Sequence, residues 1–295
     1  MTNVAGRFNA LLANLRLTTA QSEDGQTKHA GVRSCLNAHY YGVNSGYSNS
    51  MLAGSWGKST AIRPPRDIDV IFVLPASVYE RFKQRTGNIQ SQILQEVKSV
   101  LARTYTTTTM RGDGQVVVIP FATFPVELVP AFLLDSSKYW ICDTNDGGKF
   151  KTIDPDAEIE KVKAADTDTN GNARNLIRML KCWQGYCSVP LKSFCLELLA
   201  MDFLSSWQYR QNSPTYYDYM TRDFFLFLLS KKWTYVYVPG TYESIPIGGE
   251  WESRTQSAYD RAVKACNYEA SDEDVLAGIE WQKIFGTDIP LSSKS

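Results

Sequence analysis

The stretch RDIDVIFVLP, residues 66–75, decides the fold of the chain. Its centre, Ile68–Leu74, is almost entirely apolar and rich in β-branched residues, and Pro75 ends it. This composition predicts a buried β-strand. Asp67 and Asp69 lie at the start of that strand. Because residues two apart on a strand point to the same side, we expect both carboxylates to face one place.

A third acidic residue, Glu127, lies within the apolar stretch FPVELVPAF, residues 124–132, which predicts a second strand. An ionised carboxylate is costly in apolar surroundings unless something neutralises it. An arginine such as Arg63 or Arg66 could do so. A divalent cation could do so as well, since Mg²⁺ prefers oxygen ligands and is commonly held by carboxylates. Two such ions can clamp the attacking and leaving oxygens of a phosphoryl transfer.

The glycine- and serine-rich segment upstream of the first strand contains Gly54-Ser55, which is separated from Asp67 by 11 residues. A glycine allows the backbone to approach a ligand closely, and a following serine can offer N–H and hydroxyl groups to phosphate oxygens. Lys58 could add a further donor. Taken alone this segment could equally be a flexible surface loop, and an Asp-x-Asp pair alone is often a solvated strand edge.

The pattern of apolar residues divides the chain into a mixed first half and a helical second half. In the first half we expect helices over 7–20 and 28–42 joined by the polar stretch 21–27, a helix over 88–103, and strands over 105–111, 115–120 and 124–134 with a turn at 112–114. In the second half we expect helices over 156–169, 172–186, 192–210, 215–231, 252–270 and 271–285. We therefore predict an α+β fold, with an antiparallel or mixed sheet in residues 1–155 and a helical lobe in residues 156–295.

The charge balance argues against constitutive binding of long nucleic acid. Lysine and arginine total 31 and aspartate and glutamate total 31 in 295 residues, so the formal net charge is zero. Proteins that grip a duplex usually carry a basic excess. The composition, 43% hydrophobic and 21% charged, is that of a folded globular protein. The longest fully apolar run, Phe224–Leu229, is far shorter than the roughly 20 residues of a membrane helix.

The cysteines do not form a zinc-binding pattern. None of the six has C-x-x-C spacing, and the sequence holds only two histidines. A zinc site needs a denser cluster, so we interpret these residues as free thiols in a reducing cytoplasm. We accordingly expect a cytoplasmic protein.

Gly54-Ser55, Asp67-Ile-Asp69 and Glu127 together resemble the signature of the DNA polymerase β-like nucleotidyltransferase superfamily. More narrowly, the chain resembles the bacterial cGAS/DncV-like nucleotidyltransferases, also called CD-NTases, which make cyclic oligonucleotide signals in CBASS anti-phage defence. The resemblance continues through the stretches NLIRMLKCW (175–183) and KSFCLE (192–197), and through Trp251, Arg254 and the ending WQKIFG (281–286). It departs at Glu127, where many members carry aspartate.

The resemblance implies a bilobed protein, with a polymerase β-like core packed against the helical lobe around a central cleft. It implies catalysis by Asp67, Asp69 and Glu127 as ligands of two Mg²⁺ ions, for which Mn²⁺ can substitute. Nucleotide binding would then fall to the Gly54-Ser55 turn with Lys58, and to Lys181 and Ser193 at the outer phosphates of the donor. From the residues alone, Lys181 could equally be a snorkelling surface lysine, and Ser193 a helix cap. Trp56 and Tyr242 are candidates for stacking on a nucleobase.

The function that follows is the Mg²⁺-dependent synthesis of a cyclic di- or trinucleotide second messenger from NTPs, with ATP as one substrate. We expect a monomer that needs no long nucleic acid and no membrane, and that reaches its effector through the diffusible product. Two alternatives stay open at this point. One is a related nucleotidyltransferase that modifies a tRNA end, a protein or an aminoglycoside. The other is a catalytically silent nucleotide-binding module.

Overall fold

The computed structural model describes residues 3–212 and 214–293, which group by their contacts into two units. The sheet unit comprises residues 17–59 and 65–159, and the helical unit comprises residues 3–16, 60–64 and the described residues from 160 onward. Neither unit is one continuous segment of the chain. The N-terminal segment and residues 60–64 group with the helical unit, although the division after residue 155 would assign both to the core.

The sheet unit is built on a mixed sheet with helices, as predicted. Its elements are α2 (Thr19–Tyr40), β1 (Ser50–Leu52), α3 (Gly54–Gly57), β2 (Ile68–Val73), α4 (Ala76–Phe82), α5 (Ile89–Ala102), β3 (Arg111–Asp113), β4 (Val116–Ile119), β5 (Val126–Leu133), β6 (Tyr139–Asp143) and β7 (Lys149–Ile153). The strand order is β1-β2-β5-β4-β3, in which β2 pairs with β5 in parallel and with β1 in antiparallel orientation. Strand β6 also pairs with β5, and β7 pairs with β6.

Apart from Asp69, strand β2 is apolar because both of its faces are covered. Ile68, Val70 and Phe72 are buried in one hydrophobic cluster, which also contains residues of α2 and α5. Ile71 lies in a second cluster with Ala131 of β5 and with a residue of β6. The alternation of β2 residues between two cores explains why the sequence shows a continuous apolar run in place of a polar–apolar alternation.

Two local expectations for the sheet unit are wrong. The polar stretch 21–27 is not a connection but part of α2, because Thr18 begins that helix with a capping box in which Thr18 and Gln21 satisfy each other's backbone N–H. In the predicted strand 105–111, only Arg111 is a strand residue, and the hairpin of β3 and β4 turns at Gly114, past the centre of the predicted turn.

The helical unit contains α1 (Val4–Leu15), α7 (Asn172–Tyr186), α8 (Ser193–Ser206), α9 (Tyr217–Leu229), α10 (Glu252–Ala270) and α11 (Asp274–Phe285), with a small hairpin of β8 (Tyr235–Tyr237) and β9 (Ser244–Pro246). Helix α6 (Pro155–Asp168) starts in the sheet unit and ends in this one. The six helices predicted after residue 155 are thus all present. They share a core around Trp183, Trp251 and Trp281, and Phe8 of α1 packs edge-on against Trp281, with ring centroids 5.1 Å apart.

All six cysteines are unpaired thiols. Within the described part of the chain, no helix combines the length and the apolar character needed to cross a membrane.

Candidate functional site

Two of the predicted acidic residues lie side by side on neighbouring strands. Asp69 of β2 and Glu127 of β5 are register partners in the parallel pair, so their side chains leave the same face of the sheet. Asp67 lies one residue before β2 begins. The sequence could place each residue on a strand, but only the pairing of β2 with β5 brings Asp69 and Glu127 together.

The electrostatic surroundings of Glu127 disfavour its ionised form. Burial raises the pKa of the Glu127 carboxyl, and the negative charges of Asp67 and Asp113 raise it further, while Arg111 acts in the opposite direction. The negative charge of Asp67 therefore acts on the carboxyl of Glu127. The influence of Arg111 and Asp113, both on β3, was not predicted from the sequence. The predicted hairpin could have indicated it, because β4 pairs with both β3 and the strand of Glu127.

The Gly54-Ser55 turn lies against the carboxylate of Asp69. Gly54 adopts a positive φ of 50°, and a Cβ at this position would collide with the Oδ2 atom of Asp69. The backbone N–H of Ala53 also donates to the Asp69 carbonyl, at 2.9 Å. A residue with a side chain could not adopt this approach, so the glycine is required both by conformation and by space. Ser55 follows directly, in the single helical turn α3.

Trp56 and Lys58 both make contacts within the sheet unit. The indole Nε1–H of Trp56 donates to the Asp67 carbonyl, at 2.8 Å, and its ring packs against Phe124. The ring is thus engaged within the protein, which does not favour a nucleobase-stacking role. Lys58 is 3% exposed, and its ammonium pairs with Glu158 at 3.4 Å.

The donor set of the three carboxylates fits a hard divalent cation. Among residues 3–212 and 214–293, no three His, Cys, Asp or Glu side chains are already gathered tightly enough to hold a metal ion. The raised pKa of Glu127 nevertheless shows that burial and the Asp67 charge outweigh the cationic influence of Arg111. A cation bound by Asp67, Asp69 and Glu127 would relieve that imbalance, and carboxylate oxygens are the ligands that Mg²⁺ prefers.

The two predicted phosphate-binding residues of the second half lie in the helical unit. Lys181 of α7 is 6% exposed, and its ammonium pairs with Glu197 of α8 at 2.6 Å and donates to the Thr60 hydroxyl at 2.9 Å. It is therefore not a snorkelling surface residue. Ser193 is the first residue of α8, and its hydroxyl donates to Gln184 at 2.7 Å, so it does not cap the helix through its side chain.

The remaining candidate, Tyr242, lies in the connection between β8 and β9 and is 79% exposed. It belongs to the helical unit, whereas Gly54, Ser55, Lys58 and the three carboxylates belong to the sheet unit.

Comparison with known proteins identifies the family of the chain. Residues 1–166, more than half of the chain, match the model of the family described as the Second Messenger Oligonucleotide or Dinucleotide Synthetase domain. The matched range includes the Gly54-Ser55 turn and all three carboxylates. A probable cyclic nucleotide synthase of Bacillus cereus (strain VD146) is 21% identical over 271 residues, which cover 80% of this chain and 81% of that protein.

Solved structures share the fold at low sequence identity. The crystal structure of the Vibrio cholerae DncV cyclic AMP-GMP synthase in complex with the linear intermediate 5' pppA(3',5')pG is 13% identical, with a TM-score of 0.74 over 99% of this chain and 97% of that one. The structure of CdnC with ATP from Escherichia coli MS115-1 is 16% identical, with a TM-score of 0.67 over 96% and 98%.

The resemblance predicted from the Gly-Ser and Asp-x-Asp motifs is thereby confirmed, as is the nucleotidyltransferase fold with its helical lobe. The chain therefore belongs to the Second Messenger Oligonucleotide or Dinucleotide Synthetase family and is a nucleotidyltransferase of the cGAS/DncV-like type.

Proposed function

We propose that the protein is a Mg²⁺-dependent synthase that joins NTPs, ATP among them, into a cyclic di- or trinucleotide second messenger for anti-phage defence of the CBASS type. The observation that carries the proposal is the pairing of Asp69 with Glu127 across β2 and β5, with the Gly54 backbone against the Asp69 carboxylate. This arrangement supports the proposal, because phosphoryl transfer needs a group that binds the phosphates beside oxygens that can hold the metal ions.

Each proposed residue role follows from its chemistry. The Gly54 and Ser55 backbone, with the Ser55 hydroxyl, would hold the donor triphosphate. Asp67 and Asp69 would hold one of two Mg²⁺ ions, and the same two residues with Glu127 would hold the other. When bound, Mg²⁺ or the substituting Mn²⁺ lowers the pKa of the acceptor hydroxyl and neutralises charge on the phosphates.

The reaction consists of two similar transfers in one site. The acceptor hydroxyl oxygen forms a bond to the α-phosphorus of the donor, whose bond to pyrophosphate breaks, and the hydroxyl proton is released. A second transfer of the same kind closes a dinucleotide ring, and a trinucleotide needs a third. The protein residues contribute position and charge neutralisation, which are the main sources of catalysis in phosphoryl transfer.

Two further roles belong to the same proposal. Lys181 and Ser193 would support the outer phosphates of the donor, and Lys58 would add a donor near the turn. Because the ammonium of Lys181 is paired with Glu197, a phosphate contact requires it to share or exchange that carboxylate. The same exchange applies to Lys58 and Glu158.

The experiment is a synthesis assay with purified protein, Mg²⁺ and all four labelled NTPs. We expect a phosphatase-resistant product whose mass identifies the bases and the ring size. Adding tRNA, a protein or an aminoglycoside tests the alternative acceptors. Label in the acceptor without a cyclic product would contradict the proposal, and NTP binding without turnover would indicate a silent module.

We further propose that synthesis needs no DNA or RNA activator and that a cytoplasmic monomer releases the product to a separate effector. The zero net charge of the chain supports the first point, because sensing a duplex needs a basic surface. Strict dependence of product formation on added duplex would contradict it, and the elution volume of the active species in size-exclusion chromatography tests the oligomeric state.

A further inference from the structure

Trp56 contacts all three segments that carry the proposed site. It lies on α3, directly after Gly54-Ser55. Its indole N–H donates to the carbonyl of Asp67, at 2.8 Å. Its ring lies 5.9 Å from that of Phe124, three residues before Glu127 on the chain. One side chain therefore joins the turn, the backbone of Asp67 and the segment just before the strand that carries Glu127.

The surroundings hold the indole in place. A Cβ on Gly25 of α2 would collide with the six-membered ring of Trp56, so α2 packs against the indole at a point where only glycine fits. Phe124, which is 3% exposed, is held in turn by Lys28, whose ammonium lies 3.5 Å from the Phe124 ring centroid. A ring packed in this way has little freedom to rotate, so its N–H keeps a fixed direction.

Lys28 is itself held in place by hydrogen bonds. Its ammonium pairs with Asp24 at 2.7 Å and also bonds to the hydroxyl of Thr123, and Thr123 donates to Asp24 at 2.6 Å. The Ile68 N–H donates to the Pro125 carbonyl at 3.1 Å, which ties the residue after Asp67 to the segment before Glu127. The backbones that carry Asp67 and Glu127 are thus linked both directly and through Trp56.

We propose that Trp56 is a positioning residue, which sets the separation between the Gly54-Ser55 turn and the carboxylates of Asp67 and Glu127. It acts through the Asp67 carbonyl and through Phe124, and it does not touch the substrate. The inference rests on the proposed function only in taking these carboxylates as metal ligands. Groups that orient metal ligands from outside typically change metal affinity 10- to 100-fold when they are removed.

The test measures metal binding in the absence of nucleotide, by electron paramagnetic resonance of free Mn²⁺ titrated with the protein. Trp56→Phe removes the indole N–H and keeps an aromatic ring, and we expect Mn²⁺ binding to weaken by about 10-fold or more. Lys28→Met removes the bonds to Asp24 and Thr123, and we expect a smaller weakening. Trp233→Phe is the matched control, because that indole is 65% exposed in the helical unit, and its Mn²⁺ affinity should equal that of the wild type.

Thermal unfolding of each variant separates a positioning role from a purely structural one. If Trp56→Phe lowers the melting temperature but binds Mn²⁺ at 25 °C as the wild type does, the inference is overturned. Absence of Mn²⁺ binding by the wild type would overturn it as well. If the wild type binds Mn²⁺, Trp56→Phe binds it more weakly and no cyclic product forms from NTPs, the inference stands and only the proposed function fails.

Discussion

Glu127 in the sheet unit and Lys181 in the helical unit are both charged residues in apolar surroundings, but their charges are compensated differently. Lys181 is buried in an ion pair with Glu197, and it also bonds to Thr60. Glu127 has acidic neighbours that, together with burial, raise the pKa of its carboxyl. The charge of Lys181 is thus compensated within the helical unit, whereas compensation of Glu127 falls, in the proposed function, to a bound cation.

Neutralising Glu127 should have the largest effect on activity. Glu127→Gln should abolish synthesis, because the proposed second metal loses a ligand. Without divalent cations the same variant should unfold at a higher temperature than the wild type, since it lacks the disfavoured charge. Mg²⁺ should then raise the melting temperature of the wild type more than that of the variant, which keeps only the proposed site of Asp67 and Asp69. Differential scanning fluorimetry with EDTA or MgCl₂ measures both.

Asp135→Asn is the control for this prediction, because Asp135 is exposed on the same unit. It should respond to Mg²⁺ as the wild type does. A Glu127→Gln variant whose melting temperature rises with Mg²⁺ as much as that of the wild type would show that Glu127 is not a metal ligand.

Removing the lysine of the helical unit should have the largest effect on stability. Lys181→Met leaves the Glu197 carboxylate buried without its main counter-charge, which should lower the free energy of unfolding by about 3–5 kcal/mol. The double variant Lys181→Met/Glu197→Leu should recover much of this loss, since the charge is then removed as well. Urea unfolding measures the free energy of unfolding of the wild type and both variants. An equal loss in the single and the double variant would contradict the interpretation that Lys181 compensates the charge of Glu197.

Asp218 tests whether a perturbed pKa by itself marks a functional site. It is 4% exposed in the helical unit, and burial raises the pKa of its carboxyl to about 6. The folded state therefore holds the Asp218 proton more tightly than the unfolded state, where the pKa is near 3.8. This contribution to stability is complete below about pH 4 and is lost as the pH rises through about 6.

Asp218→Asn lacks that dependence. The wild type should therefore lose up to about 3 kcal/mol relative to the variant between pH 4 and pH 7, measured by urea unfolding at several pH values. Synthesis should be unchanged, because Asp218 is not among the proposed site residues. A loss of synthesis in the folded variant would show that Asp218 also has a functional role.

Ser193 should give the smallest effect. Ser193→Ala removes the hydrogen bond to Gln184 and should cost about 1 kcal/mol of unfolding free energy. The proposed phosphate contact predicts in addition a higher KM for NTPs with little change in the melting temperature. Ser205→Ala, on the exposed end of the same helix, is the control. An unchanged KM would leave Ser193 with a structural role only.

Much of the site was predictable because its evidence is local. The apolar run Ile68–Leu74 and the isolated charge of Glu127 each indicate a strand from a few neighbouring residues. The register of Asp69 with Glu127 was not predictable, because it depends on a parallel pairing between segments nearly 60 residues apart. The collision that a Cβ at Gly54 would have with Asp69 depends on another pairing, the antiparallel one between β1 and β2, which was not predicted either.

The failures have identifiable physical causes. The polar residues 21–27 suggested a break in the helix, but the capping box at Thr18 starts a helix that runs through them. The partner of Lys181 was missed because Glu197 lies on the next helix, although two opposite charges on two apolar helices could have suggested the pair. Trp56 was taken for a stacking residue, since the sequence does not reveal that its N–H faces Asp67.

The most direct test of the account is synthesis by the double variant Asp67→Asn/Asp69→Asn beside the wild type, with Mg²⁺ and all four NTPs, followed by mass spectrometry. We expect a cyclic, phosphatase-resistant product from the wild type and none from a double variant that melts cooperatively. A cyclic product from the double variant would contradict the assignment of the metal-binding carboxylates.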